Sequence, residues 1–326
     1  MAVTTTTAQS AVSLGSVEGA NNIREDLGNI IFNVTPYQTP FTSGIAKSRA
    51  TNDNHEWLTD TYRDAATDNE NLEAAAVSDA AADTRTRKGN YLQIAKEVAT
   101  VTLKAELLDK AGIKGKEMAY QLMKKGKELH MDIEAQSLSI QIKVEPQSAQ
   151  AGRSAGVASW INTNENTNSG TDNTASTGLT VPVPGSGAFT EQSLATLLDG
   201  VWTNSGDFGN VCIMAPAATV SSMRNNLGSA MTDSIESDAS TGEIYNRVAV
   251  YVSQFGPVKV VPNKHMPAAT MYVLDMSSWG LAFGGGKMIH TTDIATQTSA
   301  ERKLLESYYT LESRSEEANA GYYGIS

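Results

Sequence analysis

The longest helix that the sequence predicts lies within residues 116–141, which read KEMAYQLMKKGKELHMDIEAQSLSIQ. Its apolar residues recur at the spacing of one helix face: Ala119, Leu122, Leu129, Ile133 and Ile140. Its charged residues fall on the other faces and include Lys116, Lys124, Lys125, Glu128 and Asp132. Pro146 cannot continue the helix, so we predict one amphipathic helix that ends before it.

An extended hairpin is predicted upstream of this helix. Strand-forming residues occupy 56–62 and 90–102, and the segment between them, 64–83, is rich in Ala, Asp and Glu and has little to bury. Such a hairpin projects from a core and does not form one.

The N-terminal part of the chain predicts little regular structure. Residues 1–22 have the small polar composition of a flexible arm, and residues 25–32 predict a short helix. Two prolines, Pro36 and Pro40, predict an extended path over 35–41.

The second half of the chain predicts alternating strands and helices. Residues 162–187 are polar and rich in Asn, Thr, Gly and Ser, which is typical of a mobile loop that contributes little to folding. After this loop we expect helices at 190–202 and 218–227 and strands at 211–215, 248–252, 258–261, 271–274 and 304–311. The chain is therefore predicted to be an α+β protein.

Composition excludes several classes of protein. The 326 residues carry a formal net charge of −11, which argues against a general nucleic-acid binder but leaves a local basic patch possible. One cysteine, Cys212, cannot form an intrachain disulfide. No stretch approaches the ~18 consecutive apolar residues of a membrane span, and the N-terminus does not resemble a signal peptide.

The sequence offers no catalytic, cofactor-binding or metal-binding constellation. The four histidines are scattered without a metal-ligand spacing. Residues 284–287, GGGK, lack the first glycine and the Ser/Thr of a phosphate-binding loop, since Leu281 and Met288 occupy those positions. We therefore expect a protein that is not an enzyme and needs no cofactor.

Charge is unevenly distributed along the chain. Between Asp53 and Asp83 there are nine carboxylates and one cation, and between Lys104 and Lys127 there are seven lysines and three carboxylates. Two interpretations remain open: contacts between copies of the chain, or two independently solvated surfaces.

Several motifs together resemble one known family. They are EDLGNII at 25–31 leading to Thr39-Pro40-Phe41, HEW at 55–57, RKGNY at 87–91, AYQLMKKGKEL at 119–129, YVSQFG at 251–256 and KVVPN at 259–263. In this order they resemble major capsid proteins of the HK97 fold in tailed bacteriophages, and more closely the SU10 major head protein family.

The resemblance implies a layout for the chain. It consists of an N-terminal arm at 1–48, an extended loop at 49–100, a peripheral domain with a spine helix at 101–187, an axial domain at 188–262, and strands returning to the peripheral domain at 263–326. Because only about 22 residues precede the first motif, we expect a separate scaffolding protein.

The resemblance also implies a function. The protein would assemble with itself, as hexamers and pentamers, into an icosahedral shell that encloses phage DNA without sequence specificity. It would be made in the host cytoplasm, reside in the virion, and meet a portal protein and decoration proteins, with no membrane involved. An encapsulin-like compartment shell and, less favoured, a phage-associated hydrolase are the alternatives.

Candidate contacts between subunits follow from the extended segments and the charge runs. Apolar residues of the arm and hairpin are expected to need a neighbour's surface, and the acidic loop is expected to meet a neighbour's lysine-rich helix. The candidates are Phe41, Trp57, Leu58, Asp60, Asp64, Arg85, Arg87, Lys88, Lys116, Lys124 and Lys125.

Gly126 lies in the interior of the predicted long helix, where glycine costs roughly 1 kcal/mol relative to alanine. Two interpretations compete. Gly126 allows another backbone to approach closely, or, as the resemblance implies for a spine helix that bends in the immature shell, it is a flex point.

Overall fold

The computed structural model describes residues 38–63, 65–73, 84–108, 110, 115–205, 208–227, 231–237, 244–295 and 298–326. The arm predicted at 1–22, the helix predicted at 25–32, Asp64, and the acidic residues of 74–83 lie outside the described residues.

Within these ranges the helices are α1 (Pro40–Gly44), α2 (Leu103–Leu107), α3 (Glu117–Ser137), α4 (Glu191–Ser205) and α5 (Ala217–Leu227). The strands are β1 (Ala46–Ala50), β2 (Asn54–Thr59), β3 (Thr86–Tyr91), β4 (Gln93–Thr102), β5 (Glu165–Asn166), β6 (Val211–Ala215), β7 (Met231–Ser237), β8 (Ile244–Ser253), β9 (Gly256–Pro262), β10 (Thr270–Asp275), β11 (Trp279–Gly284), β12 (His290–Asp293), β13 (Ala300–Ser313) and β14 (Ala320–Tyr323). The α+β prediction is confirmed.

The strands form two sheets and a separate hairpin. The larger sheet has the order β5-β14-β10-β6-β9-β8-β7, and the smaller has the order β1-β11-β13-β12, with β4 also paired to β13. Strands β2 and β3 pair only with each other among the described residues. The hairpin is therefore an addition to the two-sheet body.

Helix α3 confirms the predicted long helix and supports the smaller sheet. It runs from Glu117 to Ser137, so its end lies a few residues before the predicted one. Leu129 and Met118 are buried with Ala99 and Val101 of β4 and with Leu305 of β13. The apolar stripe read from the sequence thus packs against the strand that follows the hairpin.

The larger sheet is buried by different partners on its two faces. Its central strand β6, VCIMA, is buried along its whole length, as expected where both faces are covered. On one face, Val211 and Ile213 pack under α4 and α5. On the other, Cys212 and Met214 join the core that also contains Trp279. The strand and helix predictions in this region are confirmed.

The path predicted for residues 35–41 is wrong at its end. Pro40 begins helix α1, because proline is well suited to the first helical position, where its missing N–H has no partner to lose. The backbone N–H groups of Phe41 and Thr42 donate to the buried carboxylate of Glu134 on α3, at 2.9 and 2.7 Å. Asn263, just after β9, donates to the same carboxylate at 2.7 Å. Glu134 therefore fastens three parts of the chain together.

The prediction that 162–187 is a mobile loop is also wrong. Asn173 is only 5% exposed, and its side-chain amide donates to the carbonyl oxygens of Ser159 and Ile161 at 3.3 and 2.8 Å. Gly170 and Gly185 lie so close to the backbone that a Cβ at either would come within 2.0 or 2.1 Å of a carbonyl oxygen. Hydrogen bonds to the backbone replace the apolar contacts that the composition lacks.

Strands of the larger sheet lie on both sides of one predicted domain boundary, the one at residues 262–263. β10 pairs with β6, and β14 pairs with β10, so strands after residue 263 complete the sheet that begins before it. A boundary between 188–262 and 263–326 would divide this sheet. The remainder of the predicted domain scheme stays a prediction.

Candidate inter-subunit surfaces

The β2–β3 hairpin is the most extended part of the described chain. Its two strands pair antiparallel from Asn54 with Tyr91 to Thr59 with Thr86. A two-stranded hairpin is marginally stable alone. Its base must therefore be held by the body of the subunit.

Trp57 provides one anchor on the subunit's own body. Its indole N–H donates to the carbonyl oxygen of Ser313 at 2.7 Å, and its ring lies 5.4 Å from that of Trp160. Trp57 is partly buried against the chain's own core, and the prediction that a neighbouring subunit covers the rest of its side chain stays a prediction.

Asn90 is a second anchor, and the sequence analysis did not select it. It is fully buried, its side-chain N–H groups donate to Ser154 Oγ at 3.0 Å and to the carbonyl oxygen of Leu311 at 2.8 Å, and its Oδ1 accepts from the N–H of Ala155 at 2.9 Å. An asparagine inside a strand is unusual enough to suggest such a role.

Two lysines reinforce the base of the hairpin. Lys143 donates to the carbonyl oxygen of Gly89 at 2.7 Å, and Lys88 donates to Ser176 Oγ at 3.1 Å. Burial lowers the pKa of Lys88, while the nearby Glu316 and Glu317 act in the opposite direction. Lys88 therefore faces its own subunit.

Glu312 lies beneath this base and is strongly acidic. His55 Nε2 is 3.8 Å from Glu312 Oε2, and Ser48 Oγ donates to the same oxygen at 3.1 Å. Its neighbour His55, aided by Arg314 and Ser48, lowers the pKa of Glu312 to about 2 against the opposing effect of burial.

Phe41 is not a surface residue either. Its ring is fully buried and meets Trp279 edge-on at 6.1 Å between centroids. The prediction that Phe41 contacts a neighbour is wrong, because α1 turns the ring into the core.

Charged candidates on the hairpin pair across its strands. Arg87 lies 2.6 Å from Glu56, and Arg85 lies 3.4 Å from Asp60, with the last two side chains more than half exposed. Pairs this exposed contribute little to stability, so their charges remain available to another surface.

The hairpin's exposed apolar residues lie toward its free end. Leu58 is 62% exposed and Leu72 is 86% exposed, and Tyr62 is fully exposed. These side chains have little contact with their own chain, unlike Trp57.

The lysines of α3 are divided between paired and exposed positions. Lys125 contacts Glu128 at 2.7 Å and Glu97 at 3.1 Å, and these hydrogen bonds raise its pKa. Lys124 is 4.0 Å from Glu128 and more than half exposed, and Lys116 is exposed before the first turn. Lys125 is therefore already engaged within the subunit.

Gly126 has room for a side chain within the subunit. Among the residues that the structure describes, a Cβ built there would meet only Ile289 Cδ1, at 3.8 Å, which is an ordinary van der Waals contact. Close packing inside one subunit therefore does not explain this glycine.

The described residues contain neither a cluster of metal-ligating side chains nor a membrane-length apolar helix. No group of three His, Cys, Asp or Glu side chains among them is arranged to hold a metal ion. Among the same residues no helix is both long and apolar enough to cross a bilayer.

Comparison with known proteins identifies the family. The model of the SU10 major capsid protein family matches residues 2–326. The chain belongs to this family. Its family is thus one of structural capsid proteins of the virion.

A curated relative agrees with the SU10 family assignment. The major capsid protein of Escherichia phage Phieco32 is 30% identical over 125 residues, which are 38% of this chain and 35% of that protein. The alignment thus spans about a third of that relative's length.

Solved structures show that the SU10 family member has an HK97-like capsid fold. The capsid of a native GTA particle matches with a TM-score of 0.64 at 13% identity, over 97% of this chain and 99% of that one. The Cyanophage A-1(L) capsid matches with a TM-score of 0.62 at 12% identity, over 93% and 97%. The SrpI encapsulin of Synechococcus elongatus matches with a TM-score of 0.54 at 10% identity, over 96% and 96%, which is a likeness of fold alone.

Proposed function

We propose that this protein is the shell subunit of a tailed phage head, that it self-assembles as hexamers and pentamers around phage DNA, and that it catalyses no reaction. The observation that carries the proposal is the anchored hairpin. Its base is fastened to its own subunit through Trp57 and Asn90, while Leu58, Tyr62 and Leu72 project away from it.

A projecting apolar end is suited to a contact that repeats around symmetry axes. Contacts between two different surfaces close into rings, and rings combine into shells. The hairpin end of one subunit would lie on its neighbour and cover Leu58 and Leu72. Asp60 and the lysines Lys116 and Lys124 are the charges left exposed for the same contact.

The test is to shorten the hairpin without disturbing its base. Residues 60–85 are replaced by an Asn-Gly turn, which suits a two-residue hairpin between the paired Thr59 and Thr86. We expect a folded subunit that forms no shells in electron micrographs, whereas the unaltered chain forms shells or rings. Normal shells from the shortened chain would refute the proposal.

Gly126 sharpens the proposal about the spine helix. Because a methyl group has room, Gly126→Ala should stabilise the unassembled subunit by about 1 kcal/mol, measured by chemical denaturation. If Gly126 is a flex point in the shell, the same variant should form immature shells poorly. An unchanged or lower stability would contradict the expectation that a methyl group at this position fits within the subunit.

Assembly is proposed to take place in the host cytoplasm with a separate scaffolding protein, a portal protein and decoration proteins. The encapsulin alternative is disfavoured because that likeness is of fold alone while the family match covers nearly the whole chain. Purified particles that contain phage DNA would separate the two functions.

A further inference from the structure

The glycine-rich stretch GGGK is part of an exposed bulge at one edge of the smaller sheet. β11 and β12 pair with neighbouring parts of the same edge of β13, and residues 284–289, GGGKMI, form the bulge between them. Gly285 and Gly286 have φ angles of 66° and 79°, which favour glycine, and both are exposed, as is Lys287. The bulge leads into a strand and not into the helix of a phosphate-binding loop.

The end of β1 lies against this bulge. A backbone hydrogen bond of 3.3 Å joins the two. A Cβ at Gly286 would lie 3.4 Å from Arg49 Cδ, so the side chain of Arg49 runs beside the bulge, close to Lys287. Lys47, two residues before Arg49, lies on the same face of β1.

Helix α3 borders the bulge on another side. Gly126 faces Ile289 of the bulge, and Lys127 is the next residue of the helix. His130 lies one turn after Lys127 and is its neighbour on the helix surface. Burial lowers the pKa of His130, and the positive charge of Lys47 lowers it further, so Lys47 lies near this part of α3.

Four exposed cations therefore surround the bulge. We call them the basic patch, which consists of Lys47, Arg49, Lys127 and Lys287. None of the four forms an ion pair with a carboxylate among the described residues. Glu128, beside Lys127, is already bound to Lys125 at 2.7 Å. The charges of the basic patch are therefore available to an anion from outside the subunit.

The basic patch suits a polyanion better than another protein surface. The centres of protein interfaces are depleted in lysine and enriched in aromatic residues. In β1, α3 and the bulge, all of which are described, Met123 is the one large apolar side chain more than a third exposed. Gly285 and Gly286 have no side chains to keep a ligand away from the backbone between the cations.

The spacing of the cations matches a row of phosphates. Lys47 and Arg49 are separated by two residues of a strand, or roughly 7 Å. One strand of duplex DNA carries a phosphate every ~3.4 Å of helix axis, so neighbouring cations reach different phosphates. Contacts of lysine and arginine with phosphates carry no sequence information.

We propose that the basic patch binds the phosphate backbone of duplex DNA without reading its sequence. The formal net charge of −11 repels DNA from the chain on average, so binding is confined to this face. The inference rests on the proposed function and adds to it the face of the subunit that is turned toward the enclosed DNA. One subunit binds weakly, with a dissociation constant of about 10⁻⁴–10⁻⁶ M, and the subunits of a shell act together.

Fluorescence anisotropy of a labelled DNA duplex tests the proposal on the full-length, unassembled chain. Arg49→Gln with Lys287→Gln removes two charges of the basic patch. We expect binding at about 50 mM salt to weaken at least about tenfold. The slope of log affinity against log salt concentration should fall in magnitude from about 3.6 to about 1.8, because each phosphate contact contributes about 0.9.

The matched control is Lys96→Gln with Arg302→Gln. These two exposed residues lie on the opposite face of the same sheet, and their loss changes the net charge equally. The control pair should weaken binding less than about twofold, since general charge acts weakly at a distance. Arg49→Lys with Lys287→Arg keeps both charges and should bind the duplex as the unaltered chain does.

Three outcomes would overturn the proposal. They are equal losses in the two Gln pairs, no binding of duplex DNA by the unaltered chain at about 50 mM salt, and tighter binding of polyglutamate than of DNA through the same residues. The last would assign the basic patch to an acidic protein. If circular dichroism shows that the first pair does not fold, Lys127→Gln with Lys287→Gln replaces it.

The result is independent of the test of shell formation. Anisotropy needs no particle, so failure to bind DNA leaves the proposed assembly untouched. The chain with the shortened hairpin should form no shells and still bind the duplex, because the basic patch lies outside residues 60–85.

Discussion

The described residues of the hairpin's free end and the segment 162–187 differ in structure, although both regions are poor in large apolar side chains. Both are polar, with few apolar residues to bury. In the hairpin, Asp60 and Arg85 meet across the strands while more than half exposed. In the segment, Asn173 is buried and its side chain holds the backbone of 159–161 in place.

The difference shows that composition does not determine whether a polar stretch is fixed. The hydrogen-bond partners of its side chains decide it. The described charges of the hairpin end pair with one another or face solvent. The side-chain amides of Asn173 and Asn168 instead donate to backbone carbonyl groups distant from them in sequence. A buried polar side chain of this kind is costly to remove.

The largest expected effect comes from exchanging the segment. Replacing residues 162–187 by a short Gly/Ser linker removes β5 and the hydrogen bonds of Asn164, Asn168 and Asn173. We expect a loss of at least ~4 kcal/mol in the free energy of unfolding, measured by chemical denaturation of the subunit. The shortened hairpin, with 60–85 replaced, should lose less than ~1 kcal/mol in the same experiment. Equal losses would abolish the distinction between the two regions.

A single asparagine from each region gives a smaller and cleaner comparison. Asn173→Ala removes the side-chain donor to the carbonyl groups of Ser159 and Ile161, of which Ser159 keeps the N–H of Gly178, and should cost about 2–3 kcal/mol. Asn69→Ala, at an exposed position of the hairpin end, should change stability by less than ~0.5 kcal/mol. The comparison fails if the two variants unfold at the same denaturant concentration.

The smallest expected effect is a dependence of the free energy of unfolding on pH. Burial raises the pKa of Glu165 to about 7, with the N–H of Asn173 acting against the rise and Asp172 and Glu316 adding to it. The folded carboxyl group thus holds its proton more tightly than the unfolded one, whose pKa is near 4.5. The stability that it contributes is complete below pH 4.5 and is lost as pH rises through 7.

Glu165→Gln removes this titration. Between pH 4.5 and pH 8 the free energy of unfolding of the unaltered chain should fall, relative to that of the variant, by about 1–2 kcal/mol. This figure allows for the partial exposure of the Glu165 side chain. Glu70→Gln, an exposed carboxylate in the hairpin end, is the matched control and should leave the pH profile of unfolding unchanged. Parallel profiles for all three proteins would show that Glu165 titrates normally.

The sequence predicted correctly those helices and strands whose apolar residues recur in a periodic pattern. Leu122, Leu129 and Ile133 of the predicted apolar stripe lie within α3, and the predicted strands on either side of the hairpin overlap β2, β3 and β4. Buried aromatic rings were harder to place, because the pattern does not say which surface covers them. The cover of Trp57 comes from Trp160 and Ser313, which are distant in sequence.

Buried polar residues were missed for a related reason. Asn90, Glu134 and Asn173 belong to no periodic stripe, and two of them bond to groups far along the chain. Such residues become visible only once the strands that carry their partners are assembled.

The hydrogen bonds of Trp57 and Glu134 join parts of the chain that the ribosome synthesises at different times. The carboxylate that holds the N–H of Phe41 belongs to a residue translated 93 positions later, and the carbonyl that holds Trp57 lies 256 positions later. At bacterial translation speeds the hairpin waits roughly 10–50 s for its anchor. A ribosome that stops before residue 300 releases a chain without β13 and β14, so both sheets stay incomplete and the hairpin base lacks the carbonyl groups of Ser313 and Leu311, to which Trp57 and Asn90 donate. Truncated chains therefore lack part of the attachment of the hairpin, and under the proposed function we expect them not to enter the shell.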